Sequence, residues 1–520
     1  MLFNTDEFVF MFLPATLLGY FLLFRFGHAK LSVAWIVAAS LFYYGWWNPY
    51  YVLLVVGSIL FNYVVGQFIH QARRGDRGKS VRALIGLGVV VNLGLLGYYK
   101  YANFFLDSLN TVLATDYHLG TIILPIGISF FTFQQIAYLV DAGQGEMEDS
   151  GFLEYCLFVL FFPQLVAGPI VHHSEMLPQF AKTETFVPSF SNFTAGGTIF
   201  IIGLFKKVVI ADNFALVATP VFEAAEAGEF IDFAQTWEAV FAYSMQLYFD
   251  FSGYSDMAIG IARMFGVRLP LNFQSPYKAT GIIDFWRRWH LTLSRFLRDY
   301  VYIPLGGSRR GRTRRFINLF LTMVIGGMWH GAGWNFLLWG ALHGFYLVVN
   351  QGWRTLMGTP SDTIWARTAA RLFTFIVVML AWVPFRAETF AGAIDMYRGM
   401  ATLPHTWQGP FGFLGDIFVA VGVSFEGRGF TDANMAGFFW MFVWLIIVWV
   451  MPNTQQIMAR CEPAFAFDFD RQMAEIPDLL KRAKVLFWRP SPTWAVVVGL
   501  AFAASLVSMT KISEFLYYQF

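Results

Sequence analysis

The sequence predicts an all-α fold, a polytopic bundle of helices that cross a membrane. Of the 520 residues, 57% are hydrophobic and 13% are charged, whereas a soluble domain carries about a quarter charged residues. Mean hydropathy is +0.52, and long apolar runs recur along the whole chain. Because open sheet edges cannot be satisfied in lipid, these runs predict helices.

The charge, the cysteine content and the first apolar run exclude several partners, sites and processing signals. The 36 basic and 34 acidic residues nearly cancel, to a net charge of +2, which argues against nucleic acid as a partner. Cys156 and Cys461 fit neither a disulfide framework nor a zinc site, and no metal site is predicted. The first apolar run follows Asp6 and Glu7 without a basic leader, so it predicts a retained span and not a cleaved signal.

Thirteen segments approach the roughly 20 apolar residues that a membrane-spanning helix needs. They predict a bundle of about 11–13 transmembrane or re-entrant helices. The segments are 8–24, 31–48, 51–69, 83–100, 121–139, 152–171, 195–210, 236–260, 316–333, 334–350, 369–385, 436–452 and 493–510.

Two basic loops predict the orientation, since short cytoplasmic loops are enriched in lysine and arginine. Residues 73–82 contain five basic residues, and residues 263–315 contain twelve basic and two acidic ones. Both loops are therefore expected in the cytoplasm. Three spans precede the first loop, and continued alternation then predicts that the N-terminus and the C-terminus are periplasmic in a multi-pass inner-membrane protein.

Five apolar runs separate the two basic loops, but two cytoplasmic loops must be joined by an even number of crossings. The run 152–171 contains Pro163, Gly168 and Pro169, which interrupt a helix and are tolerated at membrane depth only where protein covers the backbone. We therefore predict a re-entrant segment there. No low-complexity linker divides the chain, so residues 1–520 are predicted to form one domain, with the core motifs at 120–350.

Residues 282–300 have the pattern of a helix lying along the cytoplasmic interface. On a helical wheel, a face with Arg287 and Arg288 opposes an apolar face with Trp286 and Trp289. His290 falls on the apolar side. It is either a packed, hydrogen-bonded residue or a reactive group turned into a cavity, and this helix alone favours the packed residue.

His330 lies in an apolar, glycine-rich segment, Gly-Gly-Met-Trp-His-Gly-Ala-Gly-Trp (326–334). Ionisable groups at such depth are costly and point to function, although a neutral histidine beside packing glycines is an equal alternative. Gly327 and Gly331 are spaced for the close approach of another helix or of a ligand. His343 follows in the next predicted helix as a partner or a structural group.

Asp250 and Asp256 lie in the apolar run 236–260 and need partners there. Arg263 is two helical turns from Asp256, beyond the pairing range along one helix, so the partners are expected from other helices. A structural or pocket-shaping role is favoured over catalysis for both. The arginines that follow Gly306 and Gly307 suit phosphate, but they are more typical of a topology anchor.

Four motifs together resemble the membrane-bound O-acyltransferase family. They are Leu-Asn-Phe-Gln-Ser-Pro-Tyr (271–277), Asp-Phe-Trp-Arg-Arg-Trp-His-Leu-Thr-Leu-Ser (284–294), Arg-Asp-Tyr-Val-Tyr-Ile-Pro-Leu-Gly-Gly (298–307) and Met-Trp-His-Gly (328–331). Pro-Ile-Gly-Ile-Ser-Phe-Phe-Thr-Phe (125–133) and Phe-Pro-Gln-Leu-Val-Ala-Gly-Pro-Ile (162–170) make the chain most similar to the alginate O-acetyltransferase branch.

The resemblance implies a helical bundle around a transmembrane tunnel, with His330 and His290 as catalytic residues. It also implies acetyl-CoA as a donor that enters from the cytoplasm, and a periplasmic or secreted acetyltransferase partner that passes acetyl groups to an exported polysaccharide such as alginate or cellulose. Imidazole titrates near neutral pH, so His330 suits a general base. His290 then orients the thioester, relays the proton or hydrogen-bonds the carbonyl oxygen.

Arg287 and Arg288 are candidates to bind the coenzyme phosphates through charge-assisted hydrogen bonds. The same family includes D-alanyl and lipid acyltransferases, which stay as alternatives. A non-enzymatic transporter is the rival from another class, but it predicts internal symmetry with paired broken helices, and the sequence has no convincing repeat.

Overall fold

The computed structural model describes residues 1–146, 151–358, 363–403, 413–420, 424–425 and 432–509. These residues are almost wholly helical, as the composition predicts. Within them, the strands are limited to Thr402–Leu403 (β1) and Ser424–Phe425 (β2), which pair in parallel. The far C-terminus, 510–520, lies outside the described residues, so its predicted periplasmic placement stays a prediction.

The N-terminal half consists of apolar helices joined by short turns. Its α-helices are α1 Leu13–Arg25, α2 Ala29–Gly45, α3 Tyr50–Arg74, α4 Gly78–Leu96, α5 Ala102–Leu113, α6 Ile128–Gln144, α7 Phe152–Leu160, α8 Phe162–Leu165, α9 His173–Phe180, α10 Phe190–Phe205, α11 Asp212–Glu226 and α12 Phe233–Met264. Single π-helical turns extend three of them, at Glu7–Phe12, Gly97–Tyr101 and Lys206–Ala211.

The C-terminal half begins with short helices and continues with long ones. Its α-helices are α13 Ile282–Trp286, α14 Leu291–Leu297, α15 Arg312–His330, α16 Trp334–Met357, α17 Ile364–Arg386, α18 Phe390–Ala401, α19 Phe413–Ala420, α20 Asp432–Val450, α21 Thr454–Ile457, α22 Phe469–Ala474, α23 Asp478–Arg482 and α24 Pro492–Met509.

Several helices are long and apolar enough to cross a bilayer. Among the described residues they form five continuous stretches, and two shorter apolar helices, Ala29–Gly45 and Asn434–Val450, accompany them. The five stretches are Glu7–Arg25, Tyr50–Arg74, Gly78–Leu113, Ile364–Arg386 and Pro492–Met509. The chain is therefore a multi-pass membrane protein, with fewer clear spans by length and composition than the thirteen segments predicted.

Helix α12 forms the centre of the bundle and is buried along nearly its whole length of 32 residues. Helix α10 approaches it through two glycine pairs, because a Cβ atom at Gly203 would lie 2.6 Å from the Gly253 carbonyl oxygen, and one at Gly196 would lie 2.6 Å from that of Gly260. Small residues at such positions let helix backbones pack directly against each other.

The predicted interruption in 152–171 is confirmed. Helix α7 ends at Leu160, Phe161 leaves the helical conformation, and α8 lasts only four residues. The backbone from Phe161 to Ile170 is buried inside the protein, which is the condition under which irregular backbone is stable at membrane depth. The predicted helix 121–139 likewise begins only at Ile128, after Gly127 in a left-handed conformation.

The prediction of one interfacial helix across 282–300 is wrong. Helix α13 ends at Trp286, a turn occupies residues 287–290, and α14 begins at Leu291. His290 has φ of +43°, the left-handed conformation that is unfavourable for residues with a Cβ atom. The aromatic residues around it bury themselves in the bundle and not in a membrane interface, so tertiary packing replaces the amphipathic helix.

Several contacts between distant segments join parts of the chain that the loop charges assign to the same side of the membrane. The hydroxyl of Tyr300 donates to Asp141, and Arg288 pairs with Glu475, all in segments predicted to be cytoplasmic. Tyr51 donates to the carbonyl of Ile123, and the Asn335 amide donates to that of Ala387, all in segments predicted at the periplasmic side. The orientation itself stays a prediction.

Candidate active site

The predicted histidine pair comes together in the bundle. The ring centroids of His290 and His330 are 6.4 Å apart. Both side chains are buried, with 0% and 5% of their surface exposed. Two histidines that are 40 positions apart in the sequence are therefore neighbours in the folded protein.

Asn272 fixes the tautomer of His290. The Nδ1 atom of His290 lies 3.0 Å from the Oδ1 atom of Asn272, while Asn272 Nδ2 donates to Ser255. Because an amide oxygen only accepts hydrogen bonds, Nδ1 carries the proton and Nε2 keeps its lone pair. The buried Nε2 atom has no hydrogen-bond partner in the described part of the chain. His290 therefore presents a free acceptor to the interior.

The same asparagine ties three segments together. Asn272 Oδ1 also accepts from the Thr292 hydroxyl at 2.9 Å, and its backbone carbonyl accepts from the amide of Leu291. The hydroxyl of Thr292 in turn accepts from the amide of Ile170 in the broken segment. These bonds hold His290 in its strained conformation, an arrangement typical of functional sites. Asn272 lies within the motif 271–277, but the sequence did not predict it as a site residue.

His330 is the last residue of α15 and is enclosed by rings. Trp339, Phe385 and Trp329 pack around it, with centroids 5.0, 5.3 and 4.9 Å away. The predicted close approach at Gly327 is confirmed, because a Cβ atom there would collide with the Phe336 carbonyl and lie 3.0 Å from Gly340 of α16. The glycine contact brings α16 and its Trp339 against the histidine.

Two side chains satisfy the carbonyl groups that α15 leaves unpaired at its end. The Tyr101 hydroxyl donates to the Met328 carbonyl at 2.6 Å. The Lys100 ammonium donates to the carbonyls of Trp329 and His330 and to the Ser129 hydroxyl. A cation is favourable at a helix C-terminus, where the helix dipole is negative. Lys100 thus anchors the backbone of His330, a role that its position in an apolar run did not reveal.

His343 belongs to the same aromatic cluster. Its Nδ1 atom accepts from the Trp286 indole at 3.3 Å, and the Trp339 ring lies between it and His330, 4.9 Å from His343. The Nε2 atom therefore carries the proton, and this buried atom has no partner among the described residues.

The two candidate phosphate-binding arginines differ in their surroundings. Arg287 is exposed, but Arg288 is partly buried and pairs with both Asp284 and Glu475 at 2.9 Å. Two carboxylates already compensate the charge of Arg288. Its contacts link the 287–290 turn to the segment after α22.

The intramembrane aspartates obtain their partners from another helix, as predicted. Lys206 pairs with Asp256 at 2.8 Å, and Lys207 pairs with Asp250 and Asp212. Asp256 also accepts from Thr454 and Gln455. Each carboxylate thus meets a buried ammonium, which is how buried charges are normally tolerated.

A cavity of about 530 Å³ adjoins His330. Its walls come from the turn after α15 and the turn after α17, and its lining residue Phe385 also packs against the His330 ring. Five of its twelve lining residues are aromatic, and Asn335 and Arg386 are its buried polar groups. The size and lining are typical of a site for a small ligand.

Known proteins resemble this chain over most of its length. A peptidoglycan O-acetyltransferase of Helicobacter pylori is 47% identical over 429 residues, covering 78% of this chain and 80% of the relative. A probable alginate O-acetylase AlgI of Pseudomonas aeruginosa is 40% identical, covering 78% and 76%. A teichoic acid D-alanyltransferase of Streptococcus thermophilus is 25% identical, covering 61% and 85%.

The family assignment agrees with the position of the histidine pair. Residues 128–385, which include His290, His330 and His343, match the family described as MBOAT, membrane-bound O-acyltransferase. The resemblance of the sequence motifs is thereby confirmed, and with it the class of enzyme. The chain belongs to the membrane-bound O-acyltransferase family.

Proposed function

We propose that this enzyme moves acetyl groups from cytoplasmic acetyl-CoA across the inner membrane for the O-acetylation of an exported polysaccharide. The observation that carries the proposal is the buried pair of His290 and His330, next to a cavity of ligand size. The names of the more similar relatives support an O-acetyl group and a cell-surface or exported glycan. Peptidoglycan thus joins alginate and cellulose as a candidate polymer.

In the proposed reaction, the hydroxyl oxygen of the acceptor attacks the carbonyl carbon of the acetyl thioester. His330 removes the hydroxyl proton as the new C–O bond forms. Breaking the C–S bond releases the coenzyme thiolate, which takes up the proton from His330 to leave as the thiol, and His330 returns to its neutral form. The aromatic enclosure of His330 excludes water, which would otherwise hydrolyse the thioester.

His290 has a supporting role in this proposal. Asn272 holds its proton on Nδ1, so only Nε2 faces the reacting groups as an acceptor. An acceptor at this position favours the relay of a proton over the donation of a hydrogen bond to the carbonyl oxygen. His343, with its proton on Nε2, has the opposite polarity and is suited to donate.

The two ends of the bundle provide separate routes for donor and acceptor. We propose that the end with the basic loops faces the cytoplasm, where Arg287 and Arg288 help bind the coenzyme phosphates. Exposed Arg287 makes the direct contact, while Arg288 supports the turn. The cavity beside Phe385 then opens to the periplasm and binds the acceptor, and a periplasmic or secreted acetyltransferase partner assists the transfer to the polysaccharide. Cysteine labelling at position 311 from the cytoplasm and at position 118 from the periplasm tests this orientation.

Purified full-length enzyme in detergent or nanodiscs, supplied with radiolabelled acetyl-CoA, tests the donor. We expect the wild type to consume acetyl-CoA, and His330→Ala to lose at least a hundredfold in rate, as expected for removal of a general base. His118→Ala is the matched control, since this histidine is exposed and pairs with Asp116 away from the cavity. Absence of consumption by the wild type, or full activity of His330→Ala, contradicts the proposal.

A further inference from the structure

Arg386 is a buried cation without an ionic partner. Its side chain is 8% exposed at the end of α17 and lines the cavity beside His330. Among the described residues, no carboxylate forms an ion pair with it, and its Nε atom has no hydrogen-bond partner. Its guanidinium lies over the face of the Phe222 ring, 5.7 Å from the centroid. A buried charge is costly unless it is paired, so this arrangement indicates that a ligand supplies the missing anion.

Asn335 provides a second polar group in the same cavity with an unsatisfied hydrogen bond. Its Nδ2 atom donates to the Ala387 carbonyl at 2.8 Å, but its Oδ1 atom is buried without a partner among the described residues. A ligand that contacts both groups needs an anionic oxygen for Arg386 and a hydroxyl or amide N–H for Asn335. Sugars with an acidic substituent provide this combination. The aromatic walls, which include Trp334 and Phe336, suit the apolar faces of sugar rings.

We propose that Arg386 and Asn335 bind the acceptor, and that they select a sugar that carries a carboxylate. The inference rests on the proposed function, since it assigns the cavity to the acceptor. Uronic acids, as in alginate, and the lactyl group of muramic acid, as in peptidoglycan, are two sources of this chemistry. One guanidinium matches one carboxylate in a bidentate geometry.

The surroundings of the cavity favour a single carboxylate over the several phosphate charges of a coenzyme. Glu226 accepts from the amides of Glu388 and Thr389, which line the cavity, and Glu388 itself is exposed. Arg386 is thus a buried positive charge in the wall of a cavity whose exposed lining includes the acidic Glu388. The carboxylate of Glu388 repels a donor with several phosphate charges more strongly than a sugar with one carboxylate.

Binding of short oligosaccharides to the purified full-length enzyme tests whether it selects a sugar that carries a carboxylate. The probes are a mannuronate oligosaccharide, the same oligosaccharide with its carboxylates reduced to alcohols, and a muramic acid disaccharide with a free lactyl group. We expect the wild type to bind at least one acidic probe about tenfold or more tightly than the neutral one, the usual strength of a hydrogen bond to a charged group. The probe that is preferred identifies the source of the carboxylate.

Substitutions at Arg386 and Asn335 test whether these two side chains produce the preference. Arg386→Gln should abolish the preference for the acidic probe, and Arg386→Lys should retain part of it. Asn335→Ala should weaken the binding of the acidic and the neutral probe to the same extent. Arg398→Gln is the matched control, because Arg398 is 74% exposed, does not line this cavity and pairs with Asp395. Equal binding of acidic and neutral probes by the wild type overturns the proposal, and this measurement does not depend on how any variant folds.

Donor kinetics distinguish this inference from the proposed function. If Arg386→Gln raises the Michaelis constant for acetyl-CoA and leaves the probe preference unchanged, Arg386 belongs to the donor site and the inference is wrong. If the wild type consumes acetyl-CoA but shows no preference for acidic sugars, the proposed function stands without this inference. If acetyl-CoA is not consumed at all, the proposed function itself fails.

Discussion

Two regions of the bundle bury ionisable groups, and they treat them in opposite ways. Between α10 and α12, Lys206 and Lys207 meet Asp256 and Asp250, and each charge is compensated. Around α15 and α17, by contrast, polar atoms of His290, His343 and Arg386 are left without partners among the described residues. The first region joins helices. Within the described part of the chain, buried polar atoms without partners also occur in α12, at Gln246 and Ser252, so the second region is distinguished by unpaired ionisable side chains near a cavity.

The largest effect on stability is expected in the paired region. Lys207→Met leaves Asp250 and Asp212 without their common cation, which should lower the free energy of unfolding by about 3–5 kcal/mol. Thermal unfolding in detergent and the amount of protein in the membrane measure this loss. The matched His330→Met variant should lose activity with little loss of stability. If both variants have the same effects, the distinction between the two regions fails.

Lys278 is an intermediate case, because its ammonium donates to the Met451 carbonyl and not to a carboxylate. Burial lowers the pKa of Lys278 to about 8, against about 10.4 in an unfolded chain. Between these values the unfolded state binds more protons, so this residue makes stability rise with pH from about 8 to 10.4, by at most about 3 kcal/mol. The pH dependence of unfolding for wild type minus Lys278→Gln should show that rise. If the difference in stability between the two proteins does not change with pH, the lowered pKa of Lys278 is contradicted.

Lys100 tests whether the backbone of His330 must be held in place. Lys100→Met removes the donor from the carbonyls of Trp329 and His330, and we expect turnover to fall about tenfold with little change in the Michaelis constant for acetyl-CoA. Lys100→Arg should restore part of the turnover. Tyr101→Phe, which removes only the bond to Met328, is the matched control and should have a smaller effect. A change in the Michaelis constant alone would contradict a positioning role.

The smallest effect is expected at the two adjacent arginines. Arg287→Gln should raise the Michaelis constant for acetyl-CoA a few-fold with turnover nearly unchanged, the signature of lost uniform binding. Arg288→Gln should instead lower stability, because it leaves Asp284 and Glu475 without their cation. Direct titration of coenzyme A against each variant separates the two residues. Equal coenzyme affinity in wild type and Arg287→Gln would rule out a donor contact.

The amino-acid pattern alone was sufficient to predict the class of the molecule and many of its buried polar residues. Apolar runs indicated helices because lipid requires each backbone group to be satisfied within its own segment. Pro163 and Gly168 marked the broken segment for the same local reason. The motifs with His290 and His330 identified the family, and the cost of an unpaired charge in an apolar run indicated that Asp250 and Asp256 had partners elsewhere.

The roles of these residues follow from the packing of the helices, since the environment of each side chain depends on distant segments. Periodicity predicted a helix through His290, but the bonds from Asn272 and the burial of Trp286 and Trp289 fold it into a left-handed turn. No local pattern could reveal that Lys100 holds the end of α15, 229 positions away at Trp329. Nor could it reveal that Arg386, unlike Arg288, lacks a carboxylate among the described residues, because the pairing of a buried charge is a property of the packed helices and not of its own segment.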